Sequence, residues 1–236
     1  MTTGWCMVGS DVFAARAALA ATGEVERQAV QFLLVRHGQT QYNADGRVQG
    51  HIDIPLNEVG AWQAERIGER LKQYRPSAIF SSDLSRAADT ARAIAAHHPG
   101  ISHLKTELLR EVHYGVFDGM YLPEIKDTYP EEYLQWREGD IGYTPPKAES
   151  IYEQRARASR AVNWVREHCA EGTIVIVSHG GIMRALVANL LDLGIDQQVR
   201  FHFDNTSLTA LEDTPRGMSL RLANDTSHLG ERAAFP

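Results

Sequence analysis

Apolar runs of four, each broken by a polar cluster containing glycine, set the pattern of this chain. Phe32-Leu33-Leu34-Val35 is continuous where a half-buried strand would alternate, so it predicts a strand buried on both faces inside a parallel sheet. It stops at Arg36-His37-Gly38. Ile174-Val175-Ile176-Val177 repeats the pattern and runs into Ser178-His179-Gly180-Gly181, with the helix-like Ile182-Met183-Arg184-Ala185-Leu186 behind it. Between these two strands the period lengthens. After Pro55-Leu56, Ala61, Ala64, Ile67 and Leu71 recur at spacings of 3, 3 and 4, an amphipathic helix closed by Arg75-Pro76. Ala78-Ile79-Phe80 predicts a short strand. Ser81-Ser82-Asp83 offers capping oxygens to a helix through Arg86, Thr90 and Ile94. Leu104 to Leu109 reads as a further strand, Pro123 to Trp136 and Ile151 to Cys169 as helices, and the helix after His179 extends to Leu191. Thr206 to Leu211 and Met218 to Leu222, turned by Pro215-Arg216-Gly217, predict a hairpin, which makes the sheet mixed. Gln41 to Asp53 is polar and glycine-punctuated, a loop by composition.

Residues 1–29 do not share this pattern. Val12 to Ala21 is alanine-rich and helix-prone, and the segment reads as an N-terminal extension, either helical or partly disordered. The remaining chain, from residue 30 to about 230, is one domain's worth of sequence, with 113–150 as an insertion. With 236 residues, 43% of them apolar, it can bury one sizeable core. A net charge of −6 argues against a nucleic-acid binder and requires any anion site to be a local cluster of cations. No apolar run approaches a membrane span, the first twenty residues lack a secretory pattern, and Cys6 and Cys169 are too few and too far apart for a disulfide framework. A cytoplasmic protein without membrane or nucleic-acid partners is expected; oligomeric state is unreadable.

In open α/β sheets ligands bind at the carboxyl ends of strands. Two buried strands each deliver a histidine-glycine pair there, with an arginine close by. Arg86 falls in the first turn of its helix, where a cation opposes the macrodipole, so an anion is the natural reason for its presence. Each residue alone has a plainer reading. Arg36 could be a salt-bridge partner, Arg86 could neutralise Asp83 or Asp89, and Glu111 could be a solvated loop carboxylate. His37 and His179 could also be metal ligands with His97, His98 or Asp83, although no metal-ligand spacing is present. His51, His103, His168 and His202 read as ordinary surface or core histidines, and Phe117, Trp136 and Tyr143 as packing within the insertion.

The ordered set is more specific than its members. Leu34-Val35-Arg36-His37-Gly38 with Thr40 and Asn43, Ser82-Asp83-Leu84-Ser85-Arg86-Ala87 with Thr90, Leu109-Arg110-Glu111, and Ser178-His179-Gly180-Gly181 occur in that sequence. Together they resemble the histidine phosphatase superfamily, also called the phosphoglycerate mutase-like family, over about residues 32–229. The resemblance implies an α/β fold, a three-layer α/β/α sandwich with a mixed, mostly parallel central sheet. It implies that His37 is a nucleophile toward phosphorus and that one of its ring nitrogens is held by a backbone carbonyl. Arg36, Arg86 and His179 would form the phosphate pocket, and Glu111 would be the acid/base. Thr40, Asn43, Gln49, Gly50, Tyr114 and Gly180 would contact substrate, a small phosphorylated molecule. No metal or other cofactor is implied, because the arginines supply the positive charge, and residues 113–150 would cover the site.

Within that family, phosphatases pass the phosphoryl group to water and mutases return it to a second hydroxyl. Trp136-Arg137-Glu138-Gly139 and Thr144-Pro145-Pro146 resemble a mutase segment, but a carboxylate stands where mutases carry a second arginine, and the longer insertion that follows in mutases is missing. Metal-independent phosphomonoester hydrolysis through phosphohistidine is therefore the expectation. Mutase-type transfer is the alternative, and a non-catalytic phosphate binder a third possibility that the presence of both His37 and Glu111 disfavours.

Overall fold

The computed structural model describes residues 30–138 and 141–233. The helix-prone stretch at 12–21 and Cys6 lie outside the described residues. Strand β1 (Gln31–Arg36) is followed by a one-turn helix α1 (Gln41–Ala44) inside the predicted loop, then α2 (Glu58–Leu71), β2 (Pro76–Ser82) and α3 (Ser85–Ala95). β3 (His103–Thr106) is shorter than the apolar run suggests, because Glu107–Leu109 tightens into a 3-10 turn whose Leu108 N–H bonds to the Thr106 hydroxyl. The predicted helix from Pro123 to Trp136 is two helices, α4 (Leu122–Thr128) and α5 (Pro130–Glu138). Pro130 disfavours helical geometry at Tyr129 and starts a new helix instead. α6 (Ile151–His168), β4 (Thr173–Ser178), α7 (Gly180–Leu190), β5 (Leu208–Thr214) and β6 (Gly217–Asp225) complete the frame.

The six strands form one sheet in the order β3-β2-β4-β1-β5-β6. β3, β2, β4 and β1 run parallel, and β5 and β6 pair antiparallel, so the sheet is mixed as the hairpin required. Alternation along the central strands sorts side chains to two faces. Phe32, Leu34, Phe80, Ile174 and Ile176 pack under α6 and α7 with Val165, Ile182 and Leu186. Leu33, Val35, Ile79, Val175 and Val177 pack under α2 and α3 with Ile67, Leu71, Ala91 and Ile94. Both faces are covered, which is why the strands read as continuous apolar runs. Among the described residues no helix is long and apolar enough to cross a membrane.

The chain leaving β1 is stitched to both helices of one layer. Gly38 N–H donates to Thr90 Oγ1 (3.0 Å), Gln39 N–H to Gln63 Oε1 (2.8 Å), and Asn57 N–H to Gln39 O (3.0 Å). This contact leaves no room for side chains. A Cβ on Gly60 would stand 1.9 Å from Gln39 O, and one on Gly38 would stand 2.5 Å from Gly60 O. Segment 113–120 is tied down separately: Glu149 N–H donates to His113 O, Val116 N–H to Pro146 O, and Gly119 N–H to Val48 O. Phe117 is fully buried there, with its ring 5.4 Å from Trp136 and 5.7 Å from Tyr129.

Helix propensity alone favours Gly60→Ala by about 1 kcal/mol. The backbone approach reverses the sign, so chemical denaturation should show Gly60→Ala losing about 1–3 kcal/mol. Glu65→Ala, exposed on the same helix, should stay within about 0.5 kcal/mol of the parent. A neutral or stabilising Gly60→Ala would show that the close approach is not a constraint.

Candidate active site

β1 and β4 are adjacent and parallel with Arg36 opposite Ser178, so the residues just past each leave the sheet at the same edge. His37 N–H donates to Ser178 O at 2.9 Å, and the His37 and His179 ring centroids are 5.0 Å apart. His37 Nδ1 lies 2.7 Å from Gly38 O. A carbonyl oxygen can only accept, so Nδ1 carries the proton and the lone pair is left on Nε2. His179 has the opposite tautomer. Arg86 Nε donates to its Nδ1 at 3.2 Å, which puts the proton on Nε2, a buried atom with no partner among the described residues. Burial and then the Arg86 guanidinium hold both imidazoles well below the ordinary histidine pKa, with Arg36 adding to the effect and the Gly38 carbonyl opposing it at His37. Both rings are neutral at physiological pH.

The two arginines come from different layers. Arg86, in the first turn of α3, is fully buried. It spends its remaining donors on the strap at 49–53, NH1 to Ile52 O (2.8 Å) and NH2 to Gly50 O (2.9 Å). Burial pulls its pKa down to about 10, with Glu111 opposing, so the charge persists at neutral pH. Neither carboxylate that the sequence offered it is used this way. Asp83 pairs with Arg110, and Asp89 with Arg92. Nor does Asp83 cap α3; the Ser85 N–H instead donates to Asp53 Oδ1 at the end of the strap. Arg36 donates from NH1 to Phe203 O at 2.6 Å, while its Nε is buried with no partner among the described residues. Two donors, Arg36 Nε and His179 Nε2, are thus buried unpaired beside His37. Buried donors normally find acceptors, and an oxyanion would supply them.

Glu111 sits at the N-terminus of α7. Its carboxylate accepts from Val112 N–H (2.8 Å), Ile182 N–H (3.1 Å) and Gly181 N–H (3.2 Å). Gly181 is required there: a Cβ would stand 2.5 Å from Glu111 Oε1 and 2.7 Å from the Tyr114 hydroxyl. Tyr114 is thereby beside Glu111, and burial with the Glu111 charge raises its phenol pKa, so it is a neutral donor. Gly180 opens α7 with its Cα facing Arg36 Nε. Thr40 is buried and caps α1, with its hydroxyl 2.9 Å from Gln49 Oε1. Asn43 Oδ1 accepts from Thr40 N–H and from Asn205 Nδ2, and Asn205 Nδ2 also reaches His37 O (2.9 Å). Gly50 takes φ +51, and its carbonyl is turned to Arg86; a Cβ would strike Asp118. Of the eleven residues singled out from the sequence, Thr40 joins the cluster around the two imidazoles through Asn43 and Asn205, and the others join it by a shorter path.

Other contributors were not singled out. Arg157 on α6 donates to the carbonyls of Leu108, Arg110 and Glu111 and pairs with Glu149, which fixes the path of the chain into Glu111. Arg184 lies one turn along α7 from Gly180, with a buried Nε that has no hydrogen-bond partner among the described residues and its charge felt at both Arg36 and Tyr114. Its sequence signal was available, a cation one helical turn past a strand-end glycine pair. His51 had no such signal. Among the described residues no group of three or more histidine, cysteine, aspartate or glutamate side chains is arranged to hold a metal.

The profile of the histidine phosphatase superfamily (branch 1) matches residues 32–226. The chain is 38% identical over 165 residues to the metal-independent phosphoserine phosphatase of Arabidopsis thaliana, covering 69% of each chain. It is 36% identical over 159 residues to phosphoglycerate mutase-like protein 4 of the same plant, covering 66% of this chain and 69% of that one. Mycobacterial glucosyl-3-phosphoglycerate phosphatase superposes with a TM-score of 0.75 at 32% identity, over 84% of this chain and 100% of that structure. With the paired strand-end histidines, the inward arginines and the profile match over nearly all of the described chain, the protein belongs to the histidine phosphatase superfamily, branch 1.

Proposed function

We propose that this protein is a metal-independent phosphomonoesterase that acts on a small phosphorylated metabolite through a phosphohistidine at His37 Nε2. On its cysteine usage we also propose a cytoplasmic location, with residues 30–230 as the catalytic domain and 113–150 as its cover. The observation that carries the reading is the His37 Nδ1 bond to Gly38 O, set beside two buried unpaired donors. It supports a neutral imidazole whose free lone pair faces a pocket for an oxyanion.

The steps balance as follows. The lone pair of His37 Nε2 attacks phosphorus, the phosphorus–ester oxygen bond breaks, and the leaving oxygen takes a proton from the Glu111 carboxyl. Water then attacks the phosphohistidine, giving its proton to the Glu111 carboxylate, and the P–N bond breaks to release phosphate and restore neutral His37. Arg36, Arg86 and His179 Nε2–H stabilise the charge spread over the equatorial oxygens. Thr40, Asn43, Gln49 and Gly50 support the wall on one side, and Tyr114 and Gly180 the wall on the other. A mutase would run the first step identically and differ only in the acceptor. The Arg137-Glu138 pair favours water, since Arg137 lies over the Trp136 ring (5.7 Å) with a carboxylate following it, a poor clamp for a second anionic group.

His37→Ala should abolish release of phosphate from any ester, read as inorganic phosphate against wild type; residual turnover near the wild-type rate would exclude the nucleophile. Glu111→Gln should slow an alkyl phosphate on the order of 100-fold and the first-turnover burst of p-nitrophenolate far less, because that leaving group needs no proton; the attack by water that follows should be slowed for both esters. Wild-type turnover should be unchanged by excess EDTA.

The pH profile follows from the depressed imidazoles. The folded pKa of His37 lies well below 6.5, so acidification through pH 6.5 protonates the unfolded chain before the native one. Stability therefore falls as pH drops through that window, and the neutral nucleophile persists. The acidic limb of kcat/KM should accordingly lie well below pH 6.5; a limb at the ordinary imidazole value would contradict the assignment.

A further inference from the structure

His51 has the sequence of an ordinary loop histidine, yet it lies between two functional groups. Arg86 takes the carbonyls on either side of it, Gly50 O at 2.9 Å and Ile52 O at 2.8 Å, so the backbone of the strap is fixed to the buried guanidinium. The side chain then crosses to a different segment, placing Nε2 at 2.8 Å from Glu111 O. A carbonyl only accepts, so Nε2 carries the proton. Arg157 NH2 donates to the same oxygen at 3.2 Å. The ring of His113 stands edge-on to His51 with centroids 5.2 Å apart, limiting its rotation. Burial keeps His51 below the ordinary histidine pKa, although its bond to Glu111 O opposes this; His113, Arg157 and Arg110 add to the depression.

The two donors to Glu111 O have different anchors. Arg157 ties Glu111 to α6 and Glu149, within the helical layer. His51 ties it to the strap that Arg86 holds, and hence to the pocket where the phosphoryl group would sit. Proton donation to the leaving oxygen requires the carboxyl to be placed relative to phosphorus, and an error of 1 Å costs up to about 100-fold.

We propose that His51 is a positioning residue for proton transfer: its Nε2–H bond to the Glu111 carbonyl couples the Arg86-held strap to the acid/base carboxyl. The proposal rests on the reading of Glu111 as the proton donor. It predicts a defect confined to the two proton-dependent steps, protonation of the leaving oxygen and deprotonation of water, with phosphoryl binding and the attack by His37 left intact.

The test compares His51→Ala, His51→Gln and His51→Asn on an alkyl phosphate and on p-nitrophenyl phosphate, with thermal melts of each variant. The glutamine amide nitrogen stands as many bonds from Cβ as Nε2 does, whereas that of asparagine stands where Nδ1 does. His51→Ala should lower kcat for the alkyl ester by about tenfold or more, with KM and the first-turnover burst of p-nitrophenolate nearly unchanged. His51→Gln should recover most of the loss and His51→Asn little of it. Equal losses in alkyl ester turnover and in the p-nitrophenolate burst, no loss, or Gln and Asn behaving alike would overturn the proposal. If the alanine variant does not fold, the Gln–Asn pair decides, since both keep a polar amide. Wild-type protein inactive on both esters, or a fully active His37→Ala, would instead overturn the phosphatase reading itself.

Discussion

The structure depends on one buried cation. Arg86 is fully enclosed at the start of α3, where the helix dipole opposes it, and among the described residues no carboxylate forms an ion pair with it; Glu111, Asp53 and Asp118 act on it only at longer range. Desolvating a guanidinium costs several kcal/mol. Three hydrogen bonds offset part of this, to His179 Nδ1, Gly50 O and Ile52 O. Each of them also settles something else. The first chooses the tautomer of His179, and the other two shape the strap. The same charge keeps His37 and His179 unprotonated, which a nucleophilic imidazole requires. The site is thus built with positive charge that its own protein does not fully balance, a state better suited to a bound dianion than to the free protein.

Opposed tautomers are the second consequence. His37 carries its proton on Nδ1, where a carbonyl accepts it, and His179 on Nε2, because a guanidinium donates to its Nδ1. Two like residues, delivered by adjacent parallel strands in the same register, therefore offer a lone pair and a proton respectively. Sequence similarity between the two strand ends conceals this difference, because the tautomer is set by what lies against the other ring nitrogen.

Glu111 is held differently, by backbone donors at the mouth of α7 and by clamps on its own carbonyl. The glycines make this possible at specific points. Gly181 admits Glu111 and Tyr114 against the helix, and Gly60 admits the chain after β1. Segment 113–120 is secured by aromatic contacts of Tyr114 and Phe117 with Trp136 and by backbone bonds to Val48, Pro146 and Glu149.

The sequence by itself determined the sheet's central strands, since residues buried on both faces must be apolar at every position, and it determined that two histidines and two arginines gather at one edge. It also determined the hairpin, through its turn, and the helices with strong periodicity. Local competition defeated it at the ends: the apolar run after His103 closes into a 3-10 turn, and Pro130 divides one expected helix into two. Only the tertiary structure decided which cation meets which group. Asp83 pairs with Arg110 and not Arg86, and His51, silent in sequence, reaches the Glu111 carbonyl. The reason is physical. Burial and periodicity are properties of a segment and leave a pattern in it, whereas the partner of a hydrogen-bonding group comes from chain that lies distant in sequence, and no local pattern records it.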